Sequence, residues 1–339
     1  MSRTLMLLNC CVAIFSLPSL LWAQALPTEG PVKPKEVRKI YGDGKHNAFT
    51  AFRKWQGAYW IAFRHAPSHG YGEADLIVLR SEDTKDWKET ARINVLPDDR
   101  DPQFLATEKR LFLYNPALEG SKLTTFALYT DDGKTWSKPE PVYKPQYILW
   151  KPIEHAGQYW SAAHKKDDSK AGGKGRDVHL IKSDDGLKWD TVSLVRGGNW
   201  ESETTLLFQG DHAVAFLRSK YGSPQAQILE SDAPYTEWKP RPAPINHFSG
   251  HSCHTFKGVT YLFTRTMDTT KREAGQAIYT YEKDGTLKLY CVLPAGGDCA
   301  YAEAVEHGSD MLVSYYSGHE TDSPNTKTNI YLATVPLAK

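Results

Sequence analysis

The segment Ser81-Glu82-Asp83-Thr84-Lys85-Asp86-Trp87 returns as Thr130-Asp131-Asp132-Gly133-Lys134-Thr135-Trp136 and again as Ser183-Asp184-Asp185-Gly186-Leu187-Lys188-Trp189. A worn copy is Ser231-Asp232-Ala233-Pro234-Tyr235-Thr236-Glu237-Trp238, and Glu282-Lys283-Asp284-Gly285 is a remnant of a fifth. Successive tryptophans lie 49, 53 and 49 residues apart. In each copy an aspartate can accept backbone N–H bonds inside a tight turn, and in the second, third and fifth a glycine supplies the positive φ. A regular repeat of this length marks a stacked or radial architecture.

A second series keeps the same period. Tyr59 to Arg64, Arg110 to Tyr114, Tyr159 to His164, His212 to Arg218, Tyr261 to Arg265 and Met311 to Tyr316 all read as strands, and no segment has helical periodicity. Six units of strand, turn, strand, loop, strand, Asp turn and strand predict an all-β, six-bladed β-propeller with four-stranded antiparallel blades. The last unit lacks a fourth strand, and Lys35 to Ile40 is placed to supply it, closing the ring by pairing of the N- and C-terminal segments.

The composition agrees. The 339 residues carry 41 Lys+Arg against 40 Asp+Glu, so a nucleic-acid partner bound through bulk charge is not expected. Aromatic residues at 12%, with 25 Gly and 20 Pro, suit many short strands and turns. Arg3, the apolar run to Trp22 and the small residues Ala23-Gln24-Ala25 read as a secretory signal peptide over 1–25, followed by one propeller domain over 26–339. The expected location is secreted or periplasmic, without stable membrane insertion, and a monomer is expected. Once the leader is cut, Cys253, Cys291 and Cys299 remain, an odd number that does not organise a disulfide fold. There is no phosphate-binding glycine loop, and no metal motif in the spacing of His46, His65, His69 and His319, so neither cofactor nor metal is expected.

In a propeller, starts of first strands and ends of second strands share one mouth. Here these are His46-Asn47, Arg100-Asp101, Trp150-Lys151, Glu201-Ser202-Glu203, His251 to His254 and Asp298 to Tyr301, facing Arg64-His65, Tyr114, His164, Arg218, Arg265 and Tyr316 to Glu320. Acids, bases and guanidinium groups converging on one concavity are the usual form of a ligand or catalytic pocket.

At these positions the chain resembles the sialidase superfamily, the Asp-box or BNR-repeat six-bladed propellers. Glu203 with Phe216-Leu217-Arg218-Ser219 resembles the glutamate and second arginine of that family, with Glu201 as the rival to Glu203. Phe263-Thr264-Arg265 resembles the third arginine, and Gly297-Asp298-Cys299-Ala300-Tyr301 the segment carrying the tyrosine nucleophile. Where the family has its first arginine, this chain has Lys45-His46-Asn47-Ala48-Phe49. The pattern is closer still to a bacterial sialidase-like group, through His46 to Phe49, Arg100-Asp101 and Ser314 to Glu320.

The resemblance implies a retaining exo-glycoside hydrolase acting on an extracellular glycan, with an acidic or sulfated sugar as one option. Tyr301 would be the nucleophile and Glu203 its base. His69, Glu73, Asp75 and Asp101 are candidates for the proton donor, and Asp101 is favoured. Substrate contacts are expected from Arg64, Arg218, Arg265, Arg100, His46, Asn47, Glu201, His251, His254, Asp298, Tyr316, His319 and Glu320. Two alternatives stand beside this reading. One is a uronate-specific polysaccharide lyase using His251 or His254 with a tyrosine; the other is a non-catalytic glycan-binding propeller.

Overall fold

A computed structural model describes residues 26–165, 176–219, 226–268, 271 and 273–338. The proposed leader over 1–25 lies outside the described residues. Among the described residues no helix is long and apolar enough to cross a membrane.

Six antiparallel sheets follow one another along the chain. Blade one holds His46–Trp55, Ala58–Ala66, Asp75–Ser81 and Lys88–Ile93. In blade two the first strand is split into Asp98–Asp99 and Gln103–Ala106, both paired with Leu111–Glu119, and Lys122–Thr130 and Glu140–Pro141 follow. Blade three is Tyr147–His155, Gln158–Lys165, Arg176–Ser183 and Asp190–Asn199. Blade four is Glu201–Gln209, His212–Ser219, Ala226–Asp232 and Lys239–Pro242, and blade five is Ser252–Phe256, Val259–Asp268, Glu273–Tyr281 and Leu287–Leu293. Blade six takes Cys299–His307, Asp310–Ser317 and Asn329–Pro336 from the end of the chain, and its fourth strand, Glu36–Tyr41, from the beginning. The closing register runs Glu36 to Thr334, Val37 to Ala333 and Arg38 to Leu332. The ring therefore closes as the repeat count requires.

The registers also set the two faces. In blade one His46 pairs with Ala66, and His65 with Asp75, so these ends lie together at the mouth. Ser81 pairs with Tyr59, at the other end of the sheet, and this carries the Asp turn to the opposite face.

The first three Asp turns share one geometry. One carboxylate oxygen of Asp83 accepts the N–H groups of Lys85 and Asp86 at 2.9 Å. Asp132 does the same for Lys134 and Thr135 at 2.8 Å, and Asp185 for Leu187 and Lys188 at 2.8 and 2.7 Å. The N–H groups of Thr135 and Lys134 hold the Asp132 carboxyl down to about 2. The following position is left-handed in all three, at Thr84 (φ 68°), Gly133 (φ 69°) and Gly186 (φ 77°).

The turns also fasten blades to one another, each resting on the blade before it. A Cβ on Gly133 would stand 2.9 Å from the Trp60 ring of blade one, and a Cβ on Gly186 2.8 Å from the Phe112 ring of blade two. The Tyr114 hydroxyl donates to the Gly186 carbonyl at 2.8 Å. Arg38, on the closing strand, donates to the Thr84 carbonyl at 2.9 Å, and the indole N–H of Trp238 reaches Ser193 of blade three at 3.0 Å. Aromatic side chains pack between sheets in the same way, as at Trp55, Trp60 and Phe104 between blades one and two.

Gly186 is therefore held by both backbone angle and packing. Gly186→Ala is expected to cost about 1–3 kcal/mol, from the left-handed strain and the crowding together. Gly57→Ala, with a φ of 76° but no atom within 4 Å of the added carbon, carries only the first part. Denaturant melts of both variants check this; equal losses would remove the packing contribution.

Candidate functional site

The mouth of the ring is built by irregularities in the first strands. Ladder register slips between Ala48 and Ala51, Trp150 and Ile153, Glu201 and Thr204, and Ala300 and Glu303. Non-glycine residues with left-handed backbone sit within three of these breaks, Phe49 (φ 62°), Lys151 (φ 45°) and Tyr301 (φ 54°), and Asp101 (φ 39°) sits in the gap of the split blade-two strand. Such bulges re-aim a side chain, here from the inter-blade layer towards the axis. Together they enclose a pocket of about 300 Å³.

Glu203 is the centre of this pocket, with 6% of its surface exposed. Its Oε1 accepts from the Tyr301 hydroxyl at 2.9 Å and from Arg218 Nη1 at 2.8 Å, and its Oε2 accepts from the Gly250 N–H at 2.7 Å. Blade four itself, blade six and the segment leading into blade five thus supply the donors to this carboxylate. Glycine is required at 250, since a Cβ there would lie 2.5 Å from Cδ2 of Tyr301. Burial pushes the Glu203 carboxyl up, but Arg218 and the Gly250 N–H outweigh it and hold the group well below the usual range. The Tyr301 phenol moves the other way, raised by burial and by the negative charges of Glu203 and Asp101. Between Glu203 and Glu201, only the former meets the tyrosine; Glu201 is fully buried, 3.5 Å from Arg196.

Asp101 borders the same pocket, and its Oδ1 is buried without a hydrogen-bond partner. Burial raises its pKa, Arg100 opposes the rise, and the Glu203 charge adds to it. A carboxyl raised beside a carboxylate held low is the arrangement that lets one group give a proton while the other takes one.

On the blade-six side, Asp298 has four neighbours. Oδ1 faces Arg265 Nη2 at 3.2 Å and accepts from the Tyr316 hydroxyl at 2.9 Å. His46 Nε2 lies 2.8 Å from Oδ2, and His69 Nδ1 closes on the same oxygen. Burial favours the neutral acid, yet His46, His69 and Arg265 keep Asp298 far below the ordinary carboxylate range. The donor atoms of His46, His69 and Asp298 lie within 4.8 Å of one another, a spacing one cation could bridge. Arg265 already supplies positive charge at that carboxylate.

Several expected contacts are placed elsewhere. Arg64 is fully buried behind the pocket wall, on Asp98 at 2.9 Å and on the carbonyls of Ser68 and Gly70; it holds the blade-one loop. Asn47 binds Asp43 and the Thr328 carbonyl beside the ring closure. His251 is buried against the Phe216 carbonyl at 2.7 Å, and burial lowers its pKa to about 4. His254 faces Glu303 at 2.9 Å, where Lys151 and Arg53 also converge. That cluster joins first strands of blades one, three, five and six and crosses the axis. His319 bonds Ser317, and Glu320 accepts from the Tyr331 hydroxyl, so both brace the blade-six loop.

Arg100, Arg218 and Arg265 do border the pocket. Arg100 lies over the rings of Phe49 (5.6 Å) and Tyr71 (4.9 Å) and is 3.2 Å from Asp98. Three lining residues lie outside the set that the sequence placed at the mouth: Phe49, Arg176 and Ser249. Phe49 occupies the blade-one bulge, its ring 4.7 Å from that of Tyr301. Arg176 opens a third strand, which the shared-mouth argument leaves out.

No family model matches the sequence, and no curated protein matches it. Solved structures do resemble the fold. A protein of unknown function from Dyadobacter fermentans superposes with a TM-score of 0.76 at 20% identity, covering 91% of this chain and 99% of the other. The Trypanosoma rangeli sialidase in complex with the inhibitor DANA gives 0.68 at 10% identity, over 89% of this chain and 57% of that one. A GH43_1 enzyme from Xanthomonas citri complexed with xylose gives 0.50 at 13% identity, over 75% and 93%. At such identities the likeness is one of fold.

The Asp298 carboxylate has a depressed pKa in the folded chain, so its stabilisation is present above the unfolded value near 4 and is lost as pH falls below it. Asp298→Asn is expected to cost about 2 kcal/mol near pH 6, and progressively less towards about pH 2.5. Urea midpoints at the two pH values measure the difference; a constant gap would contradict it.

Proposed function

We propose that the chain is an exported, monomeric glycoside hydrolase of sialidase-like type, cutting one sugar from the end of an extracellular glycan with retention of configuration. The observation that carries the reading is the buried contact of the Tyr301 hydroxyl with Glu203 Oε1 at 2.9 Å. A phenol alone is a poor nucleophile at neutral pH, so it needs a fixed base and a water-poor setting.

In the first step Tyr301 Oη attacks the anomeric carbon and its proton passes to Glu203. The bond to the leaving oxygen breaks as Asp101 protonates that oxygen. In the second step Asp101, now a carboxylate, takes a proton from water. The water oxygen displaces the tyrosine, which recovers its proton from Glu203. The tyrosyl route departs from the common two-carboxylate scheme. Arg218 makes Glu203 a weak base at rest, so proton transfer accompanies bond formation rather than preceding it. The fold likeness to a sialidase and to a xylose-binding GH43_1 enzyme supports a sugar ligand at this mouth.

The lyase alternative needs His251 or His254 against the substrate. Both are engaged elsewhere, by Phe216 and Glu303, and neither borders the pocket.

A panel of chromogenic glycosides and intact polysaccharides tests the proposal, read for reducing sugar and for ultraviolet absorbance of unsaturated products. Tyr301→Phe is expected to abolish sugar release. Asp101→Asn is expected to lower it by about 10²–10⁴-fold on alkyl glycosides and by much less on nitrophenyl glycosides, which need no proton donor. Release that survives Tyr301→Phe would remove the tyrosine from the mechanism. Absorbance without hydrolysis would mark a lyase, and binding without either product a lectin-like module.

A further inference from the structure

The cradle beside Tyr301 is built to hold a carboxylate, and it already holds one. Arg265 donates through Nε to the Cys299 carbonyl at 2.6 Å, and this fixes the guanidinium beside the nucleophile's own strand. Its Nη2, the Tyr316 hydroxyl and two histidines all face Asp298. The Tyr316 ring lies 6.0 Å from the Tyr301 ring, and Phe49, packed on Tyr301, also touches His69 edge-on at 5.5 Å. The cradle and the nucleophile are therefore neighbours in one wall.

We propose that Asp298 takes the place of a substrate carboxylate in this cradle, so that the sugar held against Tyr301 is an aldose, with hydrogen rather than a carboxylate on its anomeric carbon. The inference rests on the hydrolase reading above and narrows its substrate class. The reacting carbon must come within about 3–3.5 Å of the Tyr301 oxygen. Arg265 lines the pocket together with Tyr301, so a carboxylate on that carbon that turned to Arg265 would meet the Asp298 carboxylate already there. Two like charges crowded at one arginine repel strongly.

An aldose meets no such conflict. Its ring hydroxyls can accept from arginine and donate to carboxylate, and the pocket lining offers both kinds of group: Arg265, Arg218 and Arg100 beside Glu203 and Asp101. The acidic-sugar option is thereby set aside at the anomeric carbon. A charged group elsewhere on the ring, for instance towards Arg176 over the Trp200 ring, is not affected.

The test uses the whole protein and a sugar acid whose carboxylate is on the anomeric carbon, N-acetylneuraminate. By calorimetric titration, Asp298→Asn is expected to bind it at least about 100-fold more tightly than the wild type. Equal or weaker binding by the variant, including no binding by either, overturns the inference. Should the variant not fold, thermal shifts of the wild type decide. Stabilisation by N-acetylneuraminate beyond that by galactose, mannose or N-acetylmannosamine overturns the inference, and its absence supports it. Aryl glycosides separate this inference from the parent reading. Tyr301-dependent cleavage of the neuraminic acid ketoside would defeat the aldose inference and leave the hydrolase standing. A gain of neuraminate affinity in Asp298→Asn with no glycoside cleaved would do the reverse.

Discussion

Everything at the mouth depends on the ring being closed. Six first strands meet at one axis only if six sheets are held at a fixed radius, and the last sheet is incomplete until Glu36–Tyr41 pairs with Asn329–Pro336. That pairing joins residues nearly 300 positions apart, so closing the ring carries the loop-closure entropy of almost the whole chain. The neighbourhood of the seam is reinforced for this reason. Lys35 reaches Asp310 at 2.7 Å, and the Thr328 hydroxyl donates to the Asn47 carbonyl at 2.7 Å. Asp298 of blade six and His46 of blade one then meet across the same seam.

The pocket concentrates charge and settles it internally. Glu203, Asp298, Asp98 and Glu303 are each matched by cations within about one hydrogen-bond length. Removing a charge from water is costly, and pairing it with several donors is what makes it tolerable. Each of these carboxylates draws partners from more than one part of the ring, so the electrostatics of the mouth also fix the angles between blades. Asp101 is the exception, with one oxygen left without a partner.

Much of the architecture was legible because its signals are local. An aspartate, a glycine and a tryptophan within seven residues specify one turn and one docking contact, and their recurrence counts the blades. The pairing of Glu203, Arg218 and Tyr301 was legible through family resemblance and through strand counting. Other features were not. Nothing in Lys45 to Thr50 or Cys299 to Ala302 announces a bulge, because left-handed backbone at Phe49 and Tyr301 is imposed by packing at the axis and not by residue type. Arg64 reads like Arg218 and Arg265, at the end of a second strand, yet it is turned inward by Asp98 and two loop carbonyls, groups that come from the neighbouring blade and from its own loop. Long-range partners of this kind leave no mark in a local pattern.

The cluster beneath the pocket carries its own consequence. Arg53, Lys151 and His254 close on the buried Glu303 from three other first strands, so four of the six first strands meet in one plug of paired charge across the axis. A propeller channel that is open at both ends could thread a polymer; this one is a cup. Whatever enters must back out through the same opening before the next molecule can follow. On the hydrolase reading proposed above, product and substrate would share that one doorway and compete for it.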